Sequence, residues 1–245
     1  VNVQEGAHLA LSRALVEDNR EEGFYIDGAG TSVEAMDVVV RGTREQASDG
    51  RFGRGIDVEP GAHLVLSRAL VEDNRENGLF VDGTDTSVDA MDVVVRGTRE
   101  RASDSTLGRG IEVQAGAHLA LSRALVEDNR EGGLFVAGTG TSVVATDVVV
   151  RGTRGRASDD TLGRGISVSD GAHLALVRAL VEDNRADGII ADGAGTSVEA
   201  TEVVLRGTRE QASDGVSGRG ISVQRAAHLT LSRALVDDNR DDGLF

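Results

Sequence analysis

The chain has 245 residues, contains no cysteine and carries a formal net charge of −15, and all 26 of its basic residues are arginines. This acidic balance disfavours nucleic acid and anionic membranes as partners, and without thiols the chain forms neither disulfides nor zinc-thiolate sites. No apolar run approaches the roughly 18 residues of a membrane-spanning helix, so membrane insertion is not expected.

The sequence repeats with a period of 55 residues. The segment His-Leu-Ala-Leu-Ser-Arg-Ala-Leu-Val-Glu-Asp-Asn-Arg, which begins at His8, returns with small changes at each step, and its histidines are the five of the chain: His8, His63, His118, His173 and His228. Repeats of this length indicate a solenoid, in which each unit buries its apolar face against its neighbours. The sequence therefore predicts a single domain over 1–245.

Both ends of the sequence fall inside a repeat. Val1 to Val3 match Ile56 to Val58, which close a repeat, and Leu244 and Phe245 lie within one. Solenoids need polar capping units at their ends. We therefore expect an uncapped excerpt of a longer array, with neighbouring segments of the same parent chain as partners.

Each repeat consists of two similar halves. Residues 32–43 carry apolar residues at the same positions as residues 8–19, and each half then closes on a glycine followed by alternating apolar residues. Such alternation predicts strands. The alternative is a helix over Ala7 to Arg20, since Ala, Leu, Arg and Glu favour helices. The aligned half contains Val38, Val39 and Val40, whose β-branched side chains favour strands, so we predict strands in both halves.

The pattern Leu-x-Leu, two residues, Ala-x-Val, Asn and then Gly-Ile-x-Val resembles the repeats of right-handed parallel β-helix proteins of the pectate-lyase-like superfamily. The resemblance covers the whole chain and implies an all-β, single-stranded solenoid of about nine coils, two per 55-residue repeat. Members of that superfamily include polysaccharide lyases, glycoside hydrolases, adhesins and passive stalks. The resemblance thus implies an extracellular or cell-surface location and leaves the activity open.

Stacking the halves aligns outward residues of opposite charge. Because opposite charges on neighbouring strands stabilise a sheet and fix its register, we predict eight successive contacts in each of two columns. The first column is Glu17, Arg41, Glu72, Arg96, Glu127, Arg151, Glu182, Arg206 and Asp237, and the second is Arg13, Asp37, Arg68, Asp92, Arg123, Asp147, Arg178, Glu202 and Arg233.

Three further sets of residues are expected to be structural. Asn and Thr alternate at the corner after the first charge column, where they can satisfy backbone groups without ladder partners. An aliphatic stripe, from Leu15 and Val39 to Leu235, is expected to be partly buried. The histidines stand about 9.6 Å apart with serines between them, too far for one zinc ion, so no metal site is predicted.

Asp-Gly turns at Asp27 and Asp82 leave weak Ca²⁺ binding open, but calcium needs six to eight oxygen ligands. Turn formation is the simpler interpretation, and no cofactor is expected.

The second half of each repeat carries an insertion, at 44–54, 99–109, 154–164 and 209–219. An Ala-Ser-Asp frame is constant, whereas the tips differ. Either a recognition surface or sequence drift at a tolerant loop produces this pattern. The candidate binding residues are Asp49, Arg51, Phe52, Asp104, Thr106, Leu107, Asp159, Thr161, Leu162, Asp214 and Val216.

We expect a noncatalytic rigid scaffold or a repeat-built surface for adhesion to glycan or protein. The alternative is a polysaccharide lyase or glycoside hydrolase, as the resemblance implies. Such enzymes need a distinct catalytic centre, often with aromatic sugar platforms, yet aromatic residues make up 2% of the chain and no catalytic residue can be assigned.

Overall fold

A computed structural model describes residues 1–244, which form β-strands and turns and contain no membrane-spanning helix. The strands are β1 Asn2–Gln4, β2 His8–Glu17, β3 Glu22–Asp27, β4 Ser32–Arg41, β5 Arg54–Val58, β6 His63–Glu72, β7 Asn77–Asp82, β8 Ser87–Arg96, β9 Arg109–Gln114, β10 His118–Glu127, β11 Gly132–Ala137, β12 Ser142–Arg151, β13 Arg164–Ser169, β14 His173–Val177, β15 Leu180–Glu182, β16 Asp187–Asp192, β17 Ser197–Thr201, β18 Val204–Arg206, β19 Arg219–Gln224, β20 His228–Ser232 and β21 Leu235–Asp237.

The strands form two parallel sheets. Sheet A has the order β1-β3-β5-β7-β9-β11-β13-β16-β19, and sheet B has the order β2-β4-β6-β8-β10-β12-β14-β17-β20, with β15, β18 and β21 extending its last coils. Leu9 lies opposite Val33, and Val33 lies opposite Leu64, so the half-repeats stack in the predicted register. The helix alternative for residues 7–20 is wrong, because β2 covers most of that segment.

Inward side chains of both sheets meet in one apolar core along the stack. Phe24 and Ile56 of sheet A, with Val33 and Leu64 of sheet B, are each at most 1% exposed. Each coil buries its own inward row only against the rows above and below, so the core depends on stacking.

A column of glycines lies where the chain enters sheet A, at positions that have no room for a side chain. A Cβ atom on Gly55 would lie 2.6 Å from both the carbonyl oxygen of Gly78 and the side-chain nitrogen of Asn74. Real Cβ atoms do not approach other atoms so closely. Glycine is therefore required here by the close approach of the next coil, and not by its backbone angles.

The strands of sheet B bend at their sixth residue. Every member of the second charge column has positive φ, for example +54° at both Arg13 and Asp37. Such left-handed residues interrupt a strand. The aliphatic stripe follows this bend. It is half-buried in the inner coils, as predicted, and exposed at its ends, where Leu15 and Leu235 are each 53% exposed.

At the corner after the bend, buried asparagines bind the backbone of the preceding coil. Asn74 Oδ1 accepts the N–H of Thr43 at 3.0 Å, and Asn74 Nδ2 donates to the carbonyl oxygen of Val40 at 3.3 Å. The prediction for asparagine is therefore confirmed. For threonine it is wrong, because the hydroxyls of Thr43, Thr98, Thr153 and Thr208 are buried without a partner within residues 1–244.

The two charge columns form ion pairs in alternating phase. In the first column the closest pairs join the two coils of one repeat, as in Arg41 and Glu17 at 2.8 Å. In the second column they join one repeat to the next, as in Arg68 and Asp37 at 2.6 Å. Opposite charges face each other as predicted, with Glu17 opposite Arg41 and Arg41 opposite Glu72. The predicted eight successive contacts per column do not form among residues 1–244, because the close ion pairs join alternate neighbours. Each arginine of the two columns except Arg13, which has no ion pair among residues 1–244, binds one carboxylate closely. The two columns together therefore bridge successive junctions.

Candidate functional site

The four insertion loops contact one another along the stack. Glu45 Oε1 in the first loop accepts the N–H of Ala102 in the second at 2.8 Å, and Glu100 Oε1 accepts the N–H of Ala157 in the third at 2.5 Å. The Cβ atom of Ser103 also lies 3.0 Å from the position of a Cβ on Gly50. The loops thus form one ridge, which we call the loop ridge.

The candidate aspartates of the loops shape the tips. Asp49 Oδ1 accepts the backbone N–H of Arg51 at 3.0 Å, and the same bond to the residue two places later forms at Asp104, Asp159 and Asp214. At Asp159 the hydrogen bonds from the N–H and hydroxyl of Thr161 hold the pKa of the carboxyl below its usual value. These aspartates therefore stabilise turns. The hydroxyl of Thr106 donates to Asp104 Oδ1 as that of Thr161 donates to Asp159 Oδ1.

The apolar tip residues are attached to the body of the protein. The N–H of Phe52 donates to Glu76 Oε2 and that of Leu107 to Glu131 Oε2, both at 2.9 Å. The N–H of Leu162 instead reaches Gln211 Oε1 at 3.3 Å. These three side chains are half-buried, whereas Val216 is 53% exposed and Arg51 is also exposed. The tips thus differ in exposure as well as in sequence.

A buried polar cluster lies beneath the first tip, on the outer face of sheet A. Arg54 Nη1 lies 2.8 Å from Asp57 Oδ2, and Arg54 Nε lies 3.0 Å from Glu76 Oε1. The guanidinium carbon is 3.8 Å from the ring centre of Phe80, a cation–π distance. Sequence reasoning missed this cluster because its members come from two coils.

Two carboxyls of this cluster have raised pKa values. Burial, opposed in part by Arg54, raises the pKa of Asp57 to about 6. Burial and the neighbouring charge of Asp57 raise the pKa of Glu59 to about 7. With Tyr25 and Phe52 these residues line a cavity of about 410 Å³. Groups that titrate near neutrality can act as general acids or bases.

The cluster changes along the stack. Arg109 repeats it with Glu112 at 2.6 Å, Glu131 at 2.8 Å and the ring of Phe135 at 3.8 Å. In the third and fourth repeats, serines replace the carboxylate at the Asp57 position: Ser167 and Ser222. The repeats therefore differ at this position of the outer face, where Asp57, Glu112, Ser167 and Ser222 follow one another.

No protein-family model matches the chain, and no curated protein matches it in sequence. Among solved structures, it is similar to pectate lyase Pel9A, with 14% identity and a TM-score of 0.52 over 87% of this chain and 55% of that one. It is also similar to an alginate lyase from Paenibacillus sp. str. FPU-7, with 12% identity and a TM-score of 0.51 over 96% and 89%. The chain thus spans about half the length of the pectate lyase. Likeness at this identity, with the parallel sheets, shows the fold.

The chain is a parallel β-helix.

A row of arginines follows the corner of the β-helix, one position beyond the asparagines and threonines. Backbone bridges join Arg20 to Arg44, Arg75 to Arg99, Arg130 to Arg154 and Arg185 to Arg209. We call these residues the arginine row. The alignment of the half-repeats ends at Asn19 and Thr43, so it does not include this row. The signal for the row is one position further along, where Arg20 aligns with Arg44.

Between the arginine row and the loop ridge lies a groove with two adjoining cavities. The larger, about 670 Å³, is lined by four arginines, including Arg99 and Arg130, and by five acidic residues. The smaller, about 490 Å³, is lined by four arginines and two aspartates. The smaller cavity is therefore the more positively charged one.

The histidines of the β-helix bind the serines between them. Nδ1 of His63 lies 2.8 Å from Ser87 Oγ, and His118 and His173 make the same contact at 2.7 Å. Residues 1–244 contain no group of three or more His, Cys, Asp or Glu side chains placed to hold a metal ion. Weak Ca²⁺ binding at the Asp-Gly turns stays a prediction.

Proposed function

We propose that the chain is a noncatalytic β-helix scaffold whose loop ridge binds a glycan or a protein partner in an extracellular or cell-surface setting. The observation that carries this proposal is that the ridge combines a constant, hydrogen-bonded frame with variable tips. Its frame is held by repeated hydrogen bonds between loops, from Glu45 to Ala102 and from Glu100 to Ala157. Its tips vary in residue type and exposure on that fixed frame. Variable tips on a rigid scaffold are typical of recognition surfaces.

A glycan is the favoured ligand, because two proteins of similar fold are a pectate lyase and an alginate lyase. The noncatalytic assignment rests on the burial of the cluster carboxylates and on their ion pairs. The cluster carboxylates Asp57 and Glu76 are almost fully buried, and each is bound to Arg54.

The test is a glycan and protein binding screen with the intact chain and a tip variant, in which residues 50–52, 105–107, 160–162 and 215–217 are replaced by Gly and Ser. The matched control replaces exposed residues on the outer face of sheet B, Glu34, Asp89 and Val144, with Ser. We expect the tip variant to lose binding by tenfold or more and the control to keep it. Unchanged binding by the tip variant would contradict the proposal.

A second candidate function is polysaccharide cleavage at the Arg54 cluster. The raised pKa values of Asp57 and Glu59 beside Tyr25 favour it. Incubation with pectate and alginate, followed by assays for unsaturated products and for reducing ends, tests it. Product formation that is lost in Glu59→Gln would support cleavage, and under the noncatalytic proposal we expect no product.

A further inference from the structure

The repeat is interrupted at one position of the third insertion loop. Glu45, Glu100 and Glu210 occupy equivalent places, each directly after an arginine of the row. The third loop has Gly155 at this place. The change removes a carboxylate from the wall of the groove.

In the first two loops this carboxylate is bound from two sides. Glu45 Oε1 accepts the N–H of Ala102 at 2.8 Å and lies 3.3 Å from Nη1 of Arg75. Glu100 Oε1 likewise accepts the N–H of Ala157 and lies 3.9 Å from Nε of Arg130. An amide of the next loop and an arginine of the next coil thus form a carboxylate-binding pair.

In the third repeat this pair is present without its carboxylate. The equivalent groups are the N–H of Ala212 and the guanidinium of Arg185. Among residues 1–244, Ala212 N–H has no hydrogen-bond acceptor and Arg185 has no carboxylate within 4 Å. Arg185 Nη1 donates to the carbonyl oxygen of Glu210 at 3.2 Å, as Arg75 Nη1 does to that of Glu100 at 3.0 Å, so the guanidinium keeps its place in the row.

The space beside this pair is open and positively charged. The smaller groove cavity, about 490 Å³, is lined here by Gly155, Arg185 and Ala212, together with Arg130, Arg154 and Arg209. A Cβ atom on Gly155 would lie 2.7 Å from the carbonyl oxygen of Asp160. The loop backbone therefore packs closely against Gly155. A glutamate at this position would require the backbone at Asp160 to move.

We propose that this cavity binds the carboxylate group of an external ligand, in the position that a glutamate side chain fills in the neighbouring repeats. Arg185 and the N–H of Ala212 hold it with charge-assisted hydrogen bonds, which are stronger than neutral ones. The free donors select an anion. The other arginines of the lining already have carboxylate partners, since Arg130 pairs with Glu100, Arg154 with Asp128 and Arg209 with Asp183. Free small acids and acidic sugar residues carry the same group. Both assigned donors, Arg185 and the N–H of Ala212, lie outside the loop tips, although Asp160 of the third tip lines the cavity.

The test follows backbone amides by ¹H–¹⁵N NMR during titration with sodium acetate at constant ionic strength, with chloride as the balancing anion. We expect the amide of Ala212 to shift and saturate, whereas the amide of Ala157, already bound by Glu100, stays still. Arg185→Gln should weaken binding by about tenfold or more. The matched control Arg75→Gln removes an arginine whose carboxylate is already present and should leave acetate binding unchanged.

A second variant creates the site where it is absent. Glu100→Ala frees Arg130 and the N–H of Ala157, so the Ala157 amide should begin to respond to acetate. A titration with trigalacturonate separates the sources: tighter binding than acetate at Ala212 assigns the site to an acidic sugar, and equal binding assigns it to small acids. No response of Ala212, or an equal response in Arg185→Gln, would overturn the proposal. Because the tips are unaltered, this result is independent of the loop-ridge test.

Discussion

Arg96 donates hydrogen bonds from both Nε and Nη2 to Oε2 of Glu72, which lies opposite it on the preceding strand, at 3.0 and 2.7 Å. In the second charge column, Arg123 binds both oxygens of Asp92 and so joins this repeat to the next. A shift of the stack by one coil would place like charges together. The ion pairs therefore stabilise the register as well as the fold.

The Glu72 and Arg96 pair should contribute modestly to stability. In a double-mutant cycle with Glu72→Gln and Arg96→Gln, we expect a coupling free energy of about 0.2–1 kcal/mol, since Arg96 is half-exposed. Urea unfolding at low and high salt measures it, and the coupling should fall with added salt. A coupling that is independent of salt would contradict a solvent-screened pair.

Removing a corner asparagine should cost more. Asn74→Ala leaves the buried N–H of Thr43 and the carbonyl oxygen of Val40 without their partner. An unsatisfied buried polar group costs about 1–3 kcal/mol, so we expect at least that loss in the free energy of unfolding. Asn19→Ala is the matched control, because Asn19 bonds only the nearby carbonyl oxygen of Glu17. Equal losses in the two variants would contradict the role of the corner asparagines.

The glycine column gives a steric prediction. In Gly55→Ala the new methyl group must displace the carbonyl oxygen of Gly78, and such overpacking costs about 1–3 kcal/mol. Gly132 lies at a strand start with negative φ, and a Cβ there would meet only Arg109 Cγ at 3.8 Å. Gly132→Ala should therefore unfold at nearly the wild-type urea concentration. Similar midpoints for both variants would show that coil spacing relaxes freely.

The sequence predicted the fold from the alignment of its halves, because Leu9, Val33 and Leu64 carry the period directly. It did not predict the left-handed backbone of Arg13 and Asp37, since arginine and aspartate are not residues that composition marks as left-handed. The arginine row needed only one more aligned position, Arg20 against Arg44. Comparison of all four loop frames would also have shown Gly155.

The polar cluster was harder to predict. Arg54 and Asp57 are three residues apart, but Glu76 and Phe80 come from the next coil, where Phe80 lies opposite Asp57. Their shared burial depends on the loop that covers them. The raised pKa values follow from that burial, and a sequence pattern does not contain it.

The Glu59 carboxyl makes stability depend on pH. Its pKa rises from 4.5 to about 7 on folding, so the folded chain binds more protons than the unfolded chain between these values. The free energy of unfolding therefore falls as pH rises through this window, relative to a chain without the group. The free energy of unfolding of Glu59→Gln should therefore rise relative to that of wild type between pH 4.5 and 8. Because Glu59 is only half-buried and solvent screens its charge, we expect this gain to be on the order of 2 kcal/mol, less than the full shift would give.

Urea unfolding of wild type and Glu59→Gln at half-unit steps of pH measures this difference. Glu34→Gln, on the exposed face of sheet B, is the control, and its curve should run parallel to that of the wild type. The variant also removes the charge of Glu59 from beside Asp57. The pH dependence that remains then includes that of Asp57, bound to Arg54, and that of Glu22 and Glu112, whose pKa values burial also raises. If the free energies of unfolding of Glu59→Gln and wild type ran parallel across this pH range, the pKa of Glu59 in the folded chain would equal its pKa in the unfolded chain.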